Sequence, residues 1–490
     1  MIPVHTSGYA RKLLSMAGTY RLDIGYLFGF FIILTLLGSL LLMLPAASAQ
    51  GGTLAPLDAV FTAVSAVCVT GLTTIPLTSF SRFGQLVVLA LIQLGGLGII
   101  SFSTLLVILP GMKMSLSRVQ YVNNYYLPEV EYRPREIVRS IVLLTLLIEL
   151  IGFLLLWGQF ALAGVGADGS AAAGSASLAF NALFHSVSAF CNAGFSLYSE
   201  SMEAFGHNPG VLLTITLLFV LGGLSFLVMH ELAGQLLGRK KRAGRGFPKK
   251  NAKPPRYVLS VHSQLVLIST VFLLLVGMLV FLLLEWNGAF AGFGWGDKIM
   301  QAAFQSATPR TAGFNSVAQS DLQPASILLT MLFMLIGAAP GSIAGGIKVT
   351  TFAVVAMTVV RRIGSRGQLT VRHRELQSRT LLNASIFLFR ALVLLFFAVF
   401  FLAMSESRAL ESGAFSLLEV VFESVSAFGT VGLSLGITPH LSIAGKIIIM
   451  ATMFAGRLGL VSLAVPLFRS WFDSYASDSV RYPNGEVLLG

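Results

Sequence analysis

Charged residues are scarce in this sequence. Aspartate, glutamate, lysine and arginine make up only 11% of the 490 residues, while hydrophobic residues make up 55%. A soluble domain is about 25% charged, so the composition excludes an ordinary water-soluble domain. Apolar runs close to the roughly 20 residues of a membrane-spanning helix recur along the chain. The sequence therefore predicts an integral membrane protein with no large soluble domain.

Cysteine is nearly absent as well. Only Cys68 and Cys191 occur, and neither stands in a ligand-spaced pattern, which argues against a disulfide framework or a metal-cysteine site. The apolar runs also lack paired acids or a nucleophile with its base, the groups that an intramembrane enzyme needs. We therefore expect that the protein is not an enzyme and that no cofactor is covalently bound.

Acidic residues are fewer than basic ones, 21 against 33, which gives a formal net charge of +12. The basic excess is concentrated in two connectors between apolar runs, 239–260 and 361–380. Because aromatic residues, which a nucleic-acid surface interleaves with its charges, are sparse in these connectors, nucleic-acid binding is not expected. Basic connectors mark the cytoplasmic side of a membrane protein. We predict a multi-pass protein of the cell membrane (plasma or inner), with both termini in the cytoplasm.

The first apolar run, 24–44, allows two interpretations. Arg11 and Lys12 before it and Ala47-Ser48-Ala49 after it resemble a secretory signal peptide with its cleavage site. However, the run is longer than the about 7 to 15 residues of a signal core, and every later repeat has an apolar run in the same place. We therefore favour a retained first span.

Four related segments each place a glycine at the end of a short apolar stretch; the first is SAVCVTGL at 65–72. A helix of about 12 residues rises only about 18 Å and cannot cross the roughly 30 Å membrane core. Each stretch must therefore enter the membrane and turn back, between one span before it and one after it. The sequence predicts parallel repeats around one axis, with their turns at Gly71, Gly194, Gly313 and Gly432.

The predicted fold class is an all-α integral membrane protein, in which eight transmembrane helices form four pseudo-fourfold M1-P-M2 repeats with re-entrant pore loops around a central pore. The predicted divisions are a cytoplasmic N-terminal segment (1–21), repeat one (22–110), a cytoplasmic connector (111–136), repeat two (137–238), a basic cytoplasmic connector (239–260), repeat three (261–360), a second basic connector (361–380), repeat four (381–470) and a cytoplasmic C-terminal tail (471–490).

The four turns are candidate ion ligands. Irregular backbone at membrane depth persists only where it is buried in protein or lines a wet cavity. Rings of backbone carbonyls form potassium filters, and the C-terminus of a helix before each turn favours a cation. Small residues that merely allow close helix packing are the alternative, but four copies in register favour a filter. The predicted ligands are the carbonyls of Val69, Thr70 and Gly71, of Asn192, Ala193 and Gly194, of Thr311, Ala312 and Gly313, and of Thr430, Val431 and Gly432.

These turns resemble those of a known family. In the Trk, Ktr and HKT superfamily of potassium transporters, glycine at the first filter position is associated with potassium preference and serine with sodium preference, so Gly71 implies potassium. Only about 23 mostly polar residues precede the first apolar run, which implies the Ktr membrane (B) subunit type rather than the Trk type with its additional pair of spans. The motifs that carry the resemblance are TGL at 70–72, NAGFS at 192–196, RTAGFNS at 310–316 and TVGLS at 430–434.

The resemblance also implies ions and partners. A Ktr-type subunit would form a homodimer on a cytosolic ring of nucleotide-binding regulatory subunits of the RCK/KTN type, so that a nucleotide would act only through the partner. Potassium would be the transported ion, and sodium is a candidate coupling or activating ion. The alternatives are a sodium-conducting or obligatorily Na+-coupled cation carrier on the same scaffold, and a pure scaffold, which would leave the four turns unexplained.

The second apolar run of repeat three is interrupted by Gly337, Pro340, Gly341, Gly345 and Gly346. Glycine and proline cost about 1 and 3 kcal/mol relative to alanine inside a helix, so the helix must open within 336–348. In the superfamily this segment resembles the intramembrane gating loop below the filter. A kinked span with small residues for packing is the alternative.

Two cations accompany this break. Arg457 lies inside the last apolar run, where it would cost about 2.5 to 3.5 kcal/mol if it faced lipid. We expect it to face the pore, as a barrier or as a support for the loop's carbonyls. Lys348 lies near the cytoplasmic end of the break, and we predict both to be gating residues. Other charges in or near spans, including Glu149 and Glu423, are expected to be interfacial or to pair between repeats.

Overall fold

The computed structural model describes residues 28–108, 134–163, 175–236, 259–360, 369–371, 374–376 and 378–458. The predicted terminal segments 1–21 and 471–490 lie outside the described residues, as do most of the connectors at 111–136 and 239–260.

Four helices correspond to the first predicted span of each repeat. Their exposed faces carry large apolar side chains, such as Phe272 and Phe396, as expected for surfaces that face lipid rather than water. Stretches of three of them, Arg139–Ala163, Val261–Glu285 and Thr380–Ser405, are long and apolar enough to cross a membrane. The four helices are α1 (Phe28–Leu42), α4 (Pro134–Ala163), α8 (Val261–Glu285) and α12 (Ser378–Ser405).

Four short helices precede the glycine turns. They contain between 12 and 16 residues, so they rise only about 18 to 24 Å, as predicted. Each contains a fully buried phenylalanine nine or ten residues before its turn glycine: Phe61, Phe184, Phe304 and Phe422. The last helix begins with a capping box, in which Ser416 and Glu419 bond each other's backbone N–H groups. The short helices are α2 (Pro56–Val67), α5 (Ser175–Phe190), α9 (Trp295–Ala307) and α14 (Leu417–Gly429).

The helices that follow the turns differ among the repeats. The predicted opening of repeat three is present. The span after the turn of repeat two, however, is not the single transmembrane helix expected for that repeat: it is broken at Leu224 and Ser225 with a bend of 106°. The helices are α3 (Arg82–Ile108), the bent pair α6 (Pro209–Gly223) and α7 (Phe226–Leu236), the separated pair α10 (Pro324–Leu335) and α11 (Val349–Val360), and α15 (Ile443–Leu458).

Small elements complete the described fold. Strands β1 (Leu369–Val371) and β2 (Arg374–Leu376) form an antiparallel hairpin within the predicted basic connector 361–380. A five-residue helix, α13 (Ser407–Glu411), follows α12. Apart from this hairpin, the elements of the described residues are helices.

Glycines set the distance between the short helices and the helices that follow them. An added Cβ on Gly95, Gly222 or Gly456 would overlap a carbonyl oxygen near the end of the short helix of the same repeat. Each of those carbonyls lies four residues before the turn glycine. The backbones thus approach as closely as they can only because no side chain intervenes. The contacts are Gly95 with Val67, Gly222 with Phe190 and Gly456 with Phe428.

We predict that Gly95→Ala lowers the thermal unfolding temperature of the purified protein by at least about 2 °C, because overpacking against backbone costs about 1 to 3 kcal/mol. Gly158→Ala is the matched control, since an added Cβ on this glycine of α4 meets nothing within 4 Å and alanine favours the helix. Equal unfolding temperatures for the two variants in detergent would contradict the close approach.

Candidate functional site

The four predicted turns share one backbone conformation. The first residue of each triplet has a positive φ, which is uncommon for residues other than glycine and unfavourable for the β-branched ones. The glycine two positions later also has a positive φ, whereas the residue between them does not. The φ values are 55° and 96° for Val69 and Gly71, 56° and 69° for Asn192 and Gly194, 69° and 79° for Thr311 and Gly313, and 50° and 95° for Thr430 and Gly432.

The four glycines form a closed ring. An added Cβ on each would meet, at 3.0 Å or less, the carbonyl oxygen of the residue just before the next glycine. The contacts join turn one to turn two, two to three, three to four, and four back to one. The twelve residues predicted as ligands are therefore brought together around one centre. The contacts are Gly71 with Ala193, Gly194 with Ala312, Gly313 with Val431, and Gly432 with Thr70.

A hydroxyl near the C-terminal end of each short helix, or just beyond it, holds the turn that follows, in two different ways. In turns one and four the glycine N–H donates to the hydroxyl, at 3.1 Å in both. In turns two and three the hydroxyl donates to the carbonyl after the glycine, at 2.7 Å in both. The ring is therefore fourfold in its backbone, but the adjacent turns one and four are supported in one way and the adjacent turns two and three in the other. The four hydroxyls belong to Ser65, Ser426, Ser188 and Thr308.

The carbonyls of the four triplets accept no hydrogen bond from any donor in the described part of the chain. Most of the triplet N–H groups, in contrast, donate hydrogen bonds within the described part of the chain: Thr70 N donates to Ser65 O at 2.8 Å and Ala193 N to Ser188 O at 2.8 Å. Buried backbone carbonyls without a partner are rare in proteins. These oxygens are therefore available to water or to a cation.

A cavity of about 330 Å³ lies against the ring and is lined by all four glycines. Hydroxyl groups contribute much of the remaining wall, among them those of Ser196, Ser434 and Thr438.

Elsewhere in the loop between α5 and α6, burial and the nearby carboxylates of Glu200 and Asp321 raise the pKa of Glu203 to about 7. The negative charge of that loop therefore increases as the pH rises through neutrality.

The predicted gating segment is an irregular loop between α10 and α11. Ile336 and Ile347 form a parallel bridge across its ends, and Gly341 and Gly346 have positive φ. Its predicted residues Gly337, Pro340 and Gly345 lie in the same loop, and an added Cβ on Gly337 would overlap the carbonyl oxygen of Gly345.

This loop docks into the bend between α6 and α7. Ala339 N donates to Gly223 O at 3.1 Å, Ile343 N donates to Gly222 O at 3.4 Å, and Phe226 N donates to Gly341 O at 3.3 Å. The carbonyls freed at the end of α6 are thus satisfied by the loop. The two interrupted helices interlock through their backbones.

The loop also lies directly against the fourth turn. An added Cβ on Gly345 would overlap the hydroxyl oxygen of Thr430, and one on Gly346 would lie 3.5 Å from the Cα of Gly429. The predicted loop and the predicted ligand ring are therefore in contact at Thr430.

Arg457 and Lys348 both bond to carbonyls of the loop. Arg457 is 4% exposed; its Nη1 donates to Ile343 O and its Nη2 donates to Gly95 O at 2.9 Å. Lys348 Nζ donates to Ala344 O at 2.6 Å and to Gly345 O at 3.4 Å. Arg457 thus ties the loop to α3, while Lys348 folds back on the loop itself.

Comparison with known proteins identifies the family. The family model TrkH, described as cation transport protein, matches residues 18–474. The chain is 34% identical to Ktr system potassium uptake protein B of Bacillus subtilis, over 94% of this chain and 95% of that protein, and 31% identical to potassium/sodium uptake protein NtpJ of Enterococcus hirae, over 94% and 96%. The chain belongs to the TrkH family of cation transport proteins.

The fold agrees with this membership. The crystal structure of the potassium transporter TrkH from Vibrio parahaemolyticus matches with a TM-score of 0.67, covering 90% of this chain and 84% of that one at 19% identity. The resemblance stated from the motifs is confirmed, and so is the expectation that the protein is not an enzyme, because the family is one of cation transporters.

Sequence reasoning missed one residue of the site. Glu423 was expected at an interface or in a pair between repeats, but it is fully buried in α14 and bonds to Ser434 and Thr438 of its own repeat. Its position in the repeat could have indicated it, because Glu423 directly follows Phe422, as His185 follows Phe184 and Gln305 follows Phe304.

Proposed function

We propose that this TrkH-family chain takes up potassium ions across the cell membrane through a channel-like pore whose filter is the ring of carbonyls at the four turns. The observation that carries the proposal is the closed ring itself, in which the triplet carbonyls accept no hydrogen bond from the described residues and each glycine lies against a neighbouring carbonyl. Carbonyls in such a ring can replace the hydration shell of an ion. The relatives whose names specify potassium support this choice of ion.

The proposed architecture is eight spans in four M1-P-M2 repeats with the divisions predicted above. Each short helix with its turn lies between a first helix and one or two following helices, which supports the four-repeat arrangement. The chain would be a multi-pass protein of the cell membrane with cytoplasmic termini, as the basic connectors favour.

Gating is assigned to the loop 336–348, with Gly337, Pro340, Gly341, Gly345, Gly346, Lys348 and Arg457 as its residues. The contact of this loop with Thr430, and its attachment to α3 through Arg457, support a position directly beside the filter. Movement of the loop would therefore open or close the ion path next to the ring.

The partners follow from similarity to the Ktr system. We propose a homodimer that docks on a cytosolic ring of nucleotide-binding subunits of the RCK/KTN type, so that nucleotide control reaches the pore through the partner. Sodium is a candidate coupling or activating ion, and the sodium dependence of the flux tests that role. The second candidate, a sodium-conducting or obligatorily Na+-coupled carrier, is favoured by the similarity to a potassium/sodium uptake protein.

Purified protein in liposomes tests the proposal. We expect potassium flux down its gradient that is blocked neither by removal of sodium nor by reversal of a sodium gradient. Flux that requires sodium on one side would favour the coupled carrier, and flux of sodium alone would favour the sodium conductor. Liposomes that pass neither ion would refute the proposed function.

A further inference from the structure

A polar residue lies behind each of the four turns. It stands nine residues before the turn glycine in turns one, two and four, and eight before it in turn three. All four side chains are fully buried. They are Thr62, His185, Gln305 and Glu423.

Three of these residues hold the segment that follows their own turn. His185 Nε2 lies 3.0 Å from Ser196 Oγ, Gln305 Nε2 donates to Gln319 Oε1 at 2.9 Å, and Ser434 Oγ donates to Glu423 Oε2 at 2.8 Å. Thr62 Oγ1 has no hydrogen-bond partner among the described residues.

Among these four residues, which form a layer behind the ring, only Glu423 has an acidic side chain. Threonine and glutamine are neutral. His185 is held neutral by its neighbours, because Nδ1 faces the Asn181 carbonyl at 2.7 Å and donates to it, while Nε2 accepts from Leu197 N at 3.3 Å. The layer behind the ring is therefore asymmetric, with one carboxylate behind the fourth turn.

The carboxylate of Glu423 has no cationic partner in the described part of the chain. Thr438 donates to its other oxygen, so that both of its hydrogen bonds come from hydroxyls. Those hydroxyls belong to residues that also line the cavity beside the four glycines. Each hydroxyl hydrogen is used on the carboxylate, and Thr438 Oγ1 also lies 3.1 Å from Ser434 Oγ. Ser434 Oγ accepts from Gly436 N at 3.0 Å, so one lone pair of Ser434 and the oxygen of Thr438 are left to act as acceptors toward the cavity.

We propose that Glu423 is a positioning residue for the entering monovalent cation: its carboxylate fixes the hydroxyls of Ser434 and Thr438 as acceptors at the cavity wall and supplies the negative charge that the cation neutralises. This inference rests on the proposed function and adds the place where the ion first exchanges water for protein oxygens. A buried carboxylate is costly without a counter-charge, and the cavity is where a cation can provide one. Water screens such a charge less than it screens a surface acid.

Uptake by Glu423→Gln tests the proposal, because glutamine keeps the shape and one acceptor but removes the charge. We expect the ion concentration for half-maximal uptake to rise about tenfold while the maximal rate stays close to that of the wild type. Glu419→Gln is the matched control: it removes one negative charge from the same helix at its capping box, away from the cavity, and should leave both parameters unchanged.

A second comparison, with a Thr438 variant, tests whether Glu423 acts by positioning the Thr438 hydroxyl or only by supporting the fold. Thr438→Val is expected to raise the half-maximal concentration in the same direction, and Thr438→Val combined with Glu423→Gln should show less than the product of the two single effects, because both act on one hydrogen bond. If Glu423→Gln is not recovered in folded form, Thr438→Val decides alone. A half-maximal concentration equal to the control in the recovered variants overturns the proposal.

Measurements on the wild type distinguish a failure of the inference about Glu423 from a failure of the proposed function. The measurements use whichever monovalent ion the wild type carries, so that sodium transport would correct the choice of ion and still test Glu423. A wild-type chain that passes no ion refutes the proposed function and the inference with it, whereas wild-type flux with an unaltered Glu423→Gln variant removes the inference alone.

Discussion

Replacing Gly71 by serine is expected to lower potassium uptake at least about tenfold and to abolish the preference for potassium over sodium. Gly71 has a φ of 96°, which a residue with a side chain adopts only at a cost of about 1 to 2 kcal/mol. In addition, its new Cβ would lie 2.5 Å from Ala193 O, so the neighbouring turn must shift. Both effects displace carbonyls of the ring, and a shift of about 1.4 kcal/mol is already tenfold.

The matched control is Gly413→Ser. Gly413 also has a positive φ, 74°, but an added Cβ there meets nothing within 4 Å. It therefore carries the backbone strain without the collision in the ring. Flux of both ions is measured in liposomes with equal amounts of folded protein. A Gly71→Ser variant that keeps the wild-type potassium preference would show that the ring does not select the ion.

The four turns were predictable because the evidence for them is local. A glycine at the end of a short apolar stretch occurs in each copy, and the register of Gly71 with Gly194, Gly313 and Gly432 is visible in the chain. The order in which the turns meet is not local. That Gly71 lies beside Ala193 while Gly432 lies beside Thr70 depends on how the surrounding helices pack.

The two helix breaks also differ in whether the local sequence predicts them. Four glycines and Pro340 within 336–348 are enough to predict an opening. Gly222 and Gly223 were not enough, because Gly95 and Gly96 form the same pair in α3 and remain helical. The bend after Gly223 coincides with hydrogen bonds from Ala339 and Ile343 to the last carbonyls of α6. These partners are more than 100 residues away in the chain, so no local pattern indicates them.

Glu423 illustrates a third case, in which the residue was visible but its environment was not. A carboxylate near the end of an apolar stretch is usually interfacial, since burial without a partner is costly. Here Ser434 and Thr438 fold back over it from the segment after the turn. The path of that segment is set by the positive φ values of Thr430 and Gly432, which the sequence alone does not supply.

Replacing Arg457 by glutamine is expected to raise the maximal rate of potassium uptake about tenfold. Its guanidinium joins Ile343 O of the loop to Gly95 O of α3, and a hydrogen bond to a charged group contributes about 1.5 to 3 kcal/mol. Loss of the tether favours the conformation in which the loop is displaced from the fourth turn. Arg390→Gln is the control, because Arg390 is an exposed arginine of α12.

Arg457→Lys decides how the arginine acts. A lysine keeps the positive charge but cannot reproduce the planar fork that reaches two carbonyls at once. If Arg457 is a tether, the lysine variant should transport as fast as the glutamine variant. If it is an electrostatic barrier to cations, the lysine variant should remain as slow as the wild type. Unchanged uptake in both folded variants would remove Arg457 from the gate and leave the loop held by its backbone contacts with α6 and α7.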